Sequence, residues 1–374
     1  MKRVFLSLFF VNCFVCACAQ EGNLYNGADN LALNIPAAQT NTTADIAAYI
    51  GKHINTESKK IQAIYSWVTT HIRYDKDSVH RVILEEDREE KVTFALRRRK
   101  GVCENFAAIF NDICVKSGIR SFVVEGYTRQ NGTIDRTPHA WCAANINNRW
   151  YCYDPTWDAG YLNGGVFTSS INTKFFQVLP EDFINTHIPF DPLFQFLNYP
   201  VTYNEFSSGH TGVNSRTAYF DYIDSIAAYE KMDSLSRYLS TLSRIEKNGV
   251  RNEKTDTKIK QVKLEVEIIY QDRDIENYNE AVAGYNNAIA IFNEFVNYRN
   301  NQFQPEKRND EVQQMFNDIS ASVAAANTKL KEVNQSKATL SLDTGDVQKK
   351  LNDLSLRLKE QQEFFKNYIS PKER

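Results

Sequence analysis

Apolar positions recur at helical spacing in the first third of the chain. Steps of three and four residues predict a helix that follows Thr56 as its N-cap and buries one stripe: Ile61, Ile64, Tyr65, Val68 and Ile72. Residues 93–99 predict a shorter helix that runs into Gly101. Trp67 lies off the first stripe, so we interpret it as a residue at the rim of the core.

A second stretch of helical spacing begins directly after Gly101, which interrupts a basic run. It predicts a helix that starts near Cys103 and buries one face: Phe106, Ala107, Phe110, Ile113 and Cys114. A thiol at a helix N-terminus faces unpaired backbone N–H groups and the positive end of the helix dipole, and both stabilise a thiolate. A buried, unreactive cysteine is the alternative interpretation.

Alternation with a period of two predicts strands after this helix. Residues 120–129 form one such run, and Asn147-Asn148 predicts a two-residue hairpin turn between two others. The turn fixes three cross-strand pairs: Ile146 with Arg149, Ala143 with Cys152, and Trp141 with Asp154. His139 is then the diagonal neighbour of Asp154, at a backbone separation of ~7–8 Å that two side chains can bridge.

Cys103, His139 and Asp154 are therefore the candidate catalytic residues. The hairpin brings a carboxylate to an imidazole, and an approaching thiol would complete a nucleophile, a base and an orienting acid. A zinc site at His139, Cys142 and Cys152 is not predicted, because alternation splits these residues over two faces of the hairpin and no C-x-x-C pair is present after residue 19. We expect no metal and no cofactor.

Three motifs resemble the transglutaminase-like superfamily of cysteine acyl-transfer enzymes and proteases. They are G-V-C-E-N-F-A from Gly101, P-H-A-W-C from Pro138 and Y-D-P-T-W from Tyr153. The resemblance implies that Cys103 is the nucleophile, His139 the general base and Asp154 the residue that holds the imidazole. D-P-T-W-D-A-G from Asp154, and P-E-D-F-I from Pro180 with His187, resemble the kyphoscoliosis-peptidase-like branch of that superfamily.

The fold class predicted for this part is α+β, and the resemblance implies a papain-like core with a central helix on an antiparallel sheet. Beyond it, the composition shifts to Glu, Lys, Asn and Gln, and long helical seams appear. One seam runs Phe316, Ile319, Val323, Ala326, Leu330, Val333 and Leu340. Breaks at Pro305 and Gly345 predict helices that fold back antiparallel, as an all-α bundle or coiled coil.

The N-terminus has the pattern of an export signal. A basic Met1-Lys2-Arg3 precedes an apolar run, and Ala17-Cys18-Ala19 offers an A-x-A cleavage site. The alternative is a bacterial lipoprotein signal, in which a lipidated Cys18 would attach the chain to the cell envelope. Either signal predicts an exported protein that is periplasmic, cell-surface or secreted.

The predicted organisation has five parts. They are a signal peptide at residues 1–19, a lead-in at 20–44, a catalytic domain at 45–206, a linker at 207–214 and a helical bundle at 215–374. The net charge is −2, so no overall field favours nucleic acid as a partner. The expected partners are a protein or peptide substrate and, for the helical domain, a protein partner.

Two functions fit this sequence. The first is an exported thiol-dependent acyl-transfer enzyme that acts on protein or peptide amides. A cysteine protease or amidase is favoured over a cross-linking transglutaminase, because the sequence shows no calcium-loop signature and its C-terminal half is helical instead of β-sandwich. The second is a binding scaffold with an idle triad, whose helical arm mediates protein or envelope interaction. In the enzyme, Trp67 would be a pocket wall or a second oxyanion donor.

Overall fold

The structure, a computed structural model, describes residues 26–78, 88–212 and 218–370. The chain divides into two compact units, the first ending at Ala227 and the second beginning at Ala228. The predicted signal peptide, with Cys18, lies outside the described residues. The predicted linker at 207–214 lies partly outside them and stays a prediction.

The first unit combines helices with strands that are mostly antiparallel. Its helices are α1 (Asn26–Leu33), α2 (Thr43–His53), α3 (Glu57–His71), α4 (Arg88–Arg98), α5 (Cys103–Lys116), α6 (Pro155–Ala159), α7 (Pro180–Phe183) and α8 (Tyr203–Ser208). Its strands are β1 (Arg73–Tyr74), β2 (Lys100–Gly101), β3 (Ser121–Gln130), β4 (Thr133–Ile134), β5 (His139–Ile146), β6 (Arg149–Tyr153), β7 (Gly160–Asn163), β8 (Val166–Ser169) and β9 (His187–Pro189).

Helix α5 is the centre of this unit. It packs on strands β3 and β5 and also contacts α2, α3 and α4. Because apolar side chains cover most of its circumference, the helix is buried on several sides, with Phe106, Ile109, Phe110 and Ile113 completely inaccessible to solvent. The predicted α+β architecture, a central helix on an antiparallel sheet, is confirmed.

The main sheet has the order β4-β3-β5-β6, and β9 pairs with β3. The predicted hairpin register is confirmed, with Ile146 opposite Arg149 and Ala143 opposite Cys152. Asn147 and Asn148 both have positive φ, 52° and 62°, as a tight two-residue turn requires. The expected pairing of Trp141 with Asp154 is absent from the ladder, because β6 ends at Tyr153 and Asp154 caps α6 instead.

Helix α3 is more deeply buried than its apolar stripe predicts. It packs against α1 as well as α5, so both of its sides are covered. Trp67 is 0% exposed, with the Arg99 guanidinium 4.8 Å from its ring centroid and the His71 ring stacked on it, and its interpretation as a rim residue was wrong. Thr56 occupies the N-cap position, but its side chain makes no capping hydrogen bond.

The second unit is helical. After α9 (Tyr222–Glu230), which spans the division between the units, it contains α10 (Ser234–Lys247), α11 (Glu253–Asn300), α12 (Asn309–Asn334) and α13 (Gly345–Ile369). Residues on α11 and α12 pair in opposite order along the chain: Lys329 donates to Asn277, and Asn287 donates to Ser322. The two helices are therefore antiparallel, as predicted.

The predicted seams form the core of this helical unit. The α12 positions Phe316, Ile319 and Leu330 are buried, whereas Leu340 is 71% exposed because α12 ends at Asn334. Gly284 marks the close approach of α11 and α12, since a Cβ there would lie 3.1 Å from the Cβ of Ala326. None of the described helices is both long and apolar enough to cross a membrane.

Candidate active site

Cys103 is the first residue of α5 and is only partly buried. Strand β2 precedes it and pairs in parallel with β1, which fixes the approach of the chain. The Asn105 side chain accepts a hydrogen bond from the Val102 backbone N–H at 3.0 Å and closes the first turn. Gly101 makes this turn possible, because a Cβ at that position would lie 2.5 Å from the Cβ of Asn105.

His139 and Asp154 are brought together as predicted. His139 begins β5, and its Nε2 lies 2.8 Å from Oδ2 of Asp154. The Asp154 side chain is completely buried, and its other oxygen accepts the backbone N–H groups of Thr156 and Trp157 at 2.9 and 3.1 Å. Asp154 is thus the N-cap of α6 and a partner of His139 at the same time.

His139 also interacts with Cys103, which joins the three predicted residues. Burial alone would lower the pKa of His139, but the charges of Asp154 and Cys103 and the hydrogen bonds to both side chains outweigh it and raise the pKa to about 10. Because Nε2 faces Asp154, Nδ1 is the ring nitrogen left for the thiol. Although burial opposes it, the charge and hydrogen bond of His139, with smaller contributions from His187, hold the pKa of Asp154 well below its usual range.

A second imidazole, that of His187, contacts the same carboxylate. Its Nε2 lies 3.2 Å from Oδ2 of Asp154, and its Nδ1 lies 2.8 Å from the Thr186 hydroxyl. Burial lowers the pKa of His187 to about 4 against the opposing hydrogen bond and charge of Asp154, so the ring is neutral at pH 7 and donates from Nε2. In the sequence, His187 was noted only as part of a motif, and no role was predicted for it.

The pairing of β9 with β3 positions His187. Gly126 on β3 lies opposite Pro189, and a Cβ at Gly126 would come within 2.1 Å of the Ile188 carbonyl oxygen. A glycine is therefore required for β9 to approach. A glycine inside a strand indicates that another part of the backbone approaches closely, but it does not identify the segment that does so.

Aromatic rings surround the imidazoles and exclude water. The Phe183 ring stacks on His187 at a centroid distance of 4.0 Å, and the Trp157 ring lies 4.6 Å away. Phe175 is buried and packs edge-on to His187. In such a dry environment, charges and hydrogen bonds around Asp154 are stronger than at the surface.

His139, Asp154 and His187 also have the composition of a metal site, with their potential ligand atoms within 4.8 Å of one another. Both Nε2 atoms, however, point at one carboxylate oxygen from hydrogen-bonding distance. This is the arrangement of two N–H donors on a shared acceptor, and it leaves both nitrogens engaged. We therefore interpret the group as a hydrogen-bonded network.

The remaining cysteines do not join the site chemistry. Cys114, Cys142 and Cys152 are buried, and all the described cysteines are free thiols. The Cys142 thiol donates to the Ala107 carbonyl oxygen at 3.1 Å, on the α5 side of the sheet. Burial raises the pKa of Cys114 and of Cys152.

Comparison with known proteins identifies the region that carries this geometry. Residues 44–155 match the family model described as the transglutaminase-like superfamily. These residues form a transglutaminase-like domain. The matched range includes Cys103, His139 and Asp154 and ends before Asp158 and His187, so the superfamily predicted from three motifs is confirmed.

Two curated relatives of this transglutaminase-like domain are kyphoscoliosis peptidases. The Homo sapiens protein is 28% identical over 191 residues, which cover 47% of this chain and 28% of the relative. The Mus musculus protein is 29% identical over 166 residues, which cover 41% of this chain and 24% of the relative. The chain thus spans about a quarter of the length of these relatives. A solved structure described as a TGase aligns at a TM-score of 0.25 and 18% identity, covering 43% of this chain and 40% of that one.

Proposed function

We propose that this chain is a thiol-dependent acyl-transfer enzyme that hydrolyses protein or peptide amides. The proposal rests on one observation: a partly exposed thiol at the first residue of α5 interacts with His139, whose other ring nitrogen is 2.8 Å from a buried Asp154. The nucleophile therefore contacts the base, and the base contacts the carboxylate that orients it.

The reaction follows from these positions. The Cys103 sulfur attacks the amide carbonyl carbon as a thiolate, with its proton held on His139, and the carbonyl π electrons move to the oxygen. When the intermediate collapses, the C–N bond breaks, and protonated His139 gives its proton to the departing amine. A thioester on Cys103 remains. Water then attacks it, His139 takes the water proton, and the carboxylic acid leaves as the S–C bond breaks.

The oxyanion formed in each step needs hydrogen-bond donors. The backbone N–H of Cys103 is available, because the first residues of a helix have no intrahelical acceptor for their N–H groups. Trp67 is the candidate for a second donor, because its Nε1 is buried and has no hydrogen-bond partner among the described residues. We propose the indole N–H for this role.

Hydrolysis is preferred to amine transfer. The curated relatives are named as peptidases, and the second unit of this chain is an all-helical bundle. Export, with or without a lipid on Cys18, is likewise proposed from the sequence pattern of residues 1–19. The helical unit is proposed as a docking arm for a protein partner.

A digest of a peptide library tests the function. Wild type should release new N-termini, and an added primary amine should not be incorporated in competition with water. Cys103→Ala should abolish both cleavage and the trapped thioester. Amine incorporation would indicate a transglutaminase, and equal behaviour of wild type and Cys103→Ala would indicate the idle scaffold.

A further inference from the structure

Asp158 lies in α6, four residues after Asp154, and its side chain is completely buried. Its Oδ2 is 2.6 Å from the Tyr65 hydroxyl and accepts the Phe175 backbone N–H at 2.9 Å. The Tyr65 hydroxyl is also 2.9 Å from the carbonyl oxygen of Asp154. Tyr65 therefore joins the Asp158 carboxyl group to the main chain of the residue that faces His139.

The number of protons shared by Asp158, Tyr65 and the Asp154 carbonyl oxygen indicates whether Asp158 is protonated. The Tyr65 hydroxyl carries one proton and lies between two oxygens that accept. If Asp158 were ionised, the stronger acceptor would take that proton, and the Asp154 carbonyl would lose Tyr65 as a donor. If Asp158 is protonated, it donates from Oδ2 to Tyr65, and Tyr65 donates to Asp154. The Phe175 N–H still finds a lone pair on Oδ2.

Asp154 accepts more hydrogen bonds than Asp158 does. Both oxygens of Asp154 accept two hydrogen bonds each. Asp158 Oδ1 is buried with no hydrogen-bond partner, and among the described ion pairs none involves Asp158. Burying a carboxylate without compensation costs far more than burying the neutral acid. Two carboxyl groups in one short segment are thus driven toward opposite protonation states.

The titratable groups that face Asp158 come from several elements. Tyr65 faces it from α3 and Asp154 from the start of α6, while the Lys174 backbone N–H donates a hydrogen bond to it. Cys142 on β5 faces Tyr65. None of these presents a cationic group to the carboxyl.

The acidities agree with the proton count. Burial, reinforced by the charge of Asp154, raises the pKa of Asp158 to about 7 against the hydrogen bonds from the Tyr65 hydroxyl and from the Phe175 and Lys174 backbones. Burial and the charge of Asp158 raise the pKa of Tyr65 well above its usual value, so Tyr65 keeps its proton.

We propose that Asp158 is a positioning residue that acts as a neutral carboxylic acid, donating to Tyr65 so that Tyr65 donates to the Asp154 carbonyl oxygen. This relay fixes the Asp154 main chain and thereby directs the Asp154 carboxylate at His139. Ionisation of Asp158 reverses the Tyr65 bond, so that the Asp154 carbonyl oxygen keeps the Asp158 backbone N–H at 3.3 Å but loses the shorter hydrogen bond from Tyr65. The effect on catalysis rests on the proposed function, whereas the protonation state does not.

The protonation state is measured directly by carbon NMR. Cys103→Ala protein labelled at the aspartate carboxyl carbon is titrated, and the signal missing from Cys103→Ala/Asp158→Asn is assigned to Asp158. We expect this signal to titrate with a midpoint near pH 7, well above the ~3.9 of an ordinary aspartate. A signal that remains that of an ionised carboxylate from pH 8 to pH 5 would overturn the proposal.

The positioning role is measured on the active enzyme. From pH 6 to pH 8 the wild-type kcat/KM should fall by about tenfold, because only the neutral form of Asp158 supports the relay. Asp158→Asn should lose this alkaline decline, and Tyr65→Phe should lose it too, since the relay is then absent. Asp191→Asn, which alters another buried aspartate outside the relay, should keep it.

The two failures are distinguishable. If the chain cleaves peptides but kcat/KM still falls above pH 6 in Asp158→Asn and Tyr65→Phe, the positioning role is overturned and the proposed function stands. A chain that cleaves nothing, yet titrates Asp158 near pH 7, overturns the proposed function and supports the relay.

Discussion

His187 donates a second imidazole N–H to Asp154, 3.2 Å from the same Oδ2 that accepts from His139 at 2.8 Å. Asp154 therefore has every acceptor direction engaged, and one of its partners, His139, also contacts the thiol. A carboxylate held in this way stays ionised and cannot rotate, and a fixed carboxylate fixes the tautomer and direction of the imidazole.

The first prediction concerns this second imidazole. His187→Phe keeps a ring in the aromatic surroundings but removes the donor, and a hydrogen bond to a charged group contributes ~1.5–3 kcal/mol. We expect kcat to fall by roughly tenfold or more with little change in KM, because the residue acts through Asp154. His187→Gln can place an N–H near the same point and should recover much of the rate. Steady-state kinetics that show equal loss in both variants would point to packing alone.

Local rules explain which parts of the site were predictable. The Asn147-Asn148 turn fixed the hairpin register, and the register placed His139 beside Asp154. The start of α5 followed from the break at Gly101. His187 was beyond such rules, because it reaches Asp154 through a pairing of β9 with β3 that no local pattern specifies.

The burial of Trp67 was missed for a related reason. An apolar stripe reports one packed face of a helix, whereas Trp67 lies off that face and is covered by the Arg99 guanidinium and the His71 ring. Helix α1 also packs on α3, from the segment interpreted as a lead-in. Asp154 left the hairpin ladder because a proline follows it and its side chain caps α6. The predicted signal at residues 1–19 lies outside the described residues.

The second prediction is a pH dependence of stability. The pKa of His187 is lowered to about 4 in the folded chain, from about 6.5 when exposed. Between pH 6.5 and pH 4, His187 is therefore protonated in the unfolded chain but neutral in the folded chain. The free energy of unfolding consequently falls as the pH falls through this window. The loss attributable to His187 is on the order of 3 kcal/mol.

Urea unfolding from pH 7 to pH 4 measures this loss. His187→Gln cannot take up the proton, so its free energy of unfolding should decline less over the same window. His210→Gln, which changes an exposed histidine, is the matched control and should follow wild type. Parallel curves for wild type and His187→Gln would refute the assignment of a neutral buried imidazole.

The third prediction concerns thiol reactivity. Cys103 is partly exposed and faces His139, whereas burial raises the pKa of Cys114 and of Cys152 and shields both from reagent. Iodoacetamide at pH 7 should therefore label Cys103 first, as mapped by mass spectrometry. His139→Ala should slow that labelling without accelerating it at Cys114. Similar rates at all the described cysteines would argue against an activated thiol.

The last prediction tests how the fold delivers His187 to the site. A Cβ at Gly126 would lie 2.1 Å from the Ile188 carbonyl oxygen, so Gly126→Ala must push β9 away from β3. Backbone atoms cannot rotate aside as a side chain can, and overpacking of this kind costs ~1–3 kcal/mol. The displaced strand carries His187, so the variant should lose activity as well as thermal stability.

Gly51→Ala is the control for Gly126→Ala. Gly51 lies in α2 with nothing within 4 Å of a Cβ, and alanine is favoured over glycine inside a helix by up to ~1 kcal/mol. That variant should melt at the same temperature as wild type or higher, with unchanged kinetics. If Gly126→Ala also retains wild-type melting and kcat, the β3–β9 contact does not position the imidazole. If it loses kcat in proportion to His187→Phe, and the two changes are not additive when combined, both act through the same contact with Asp154.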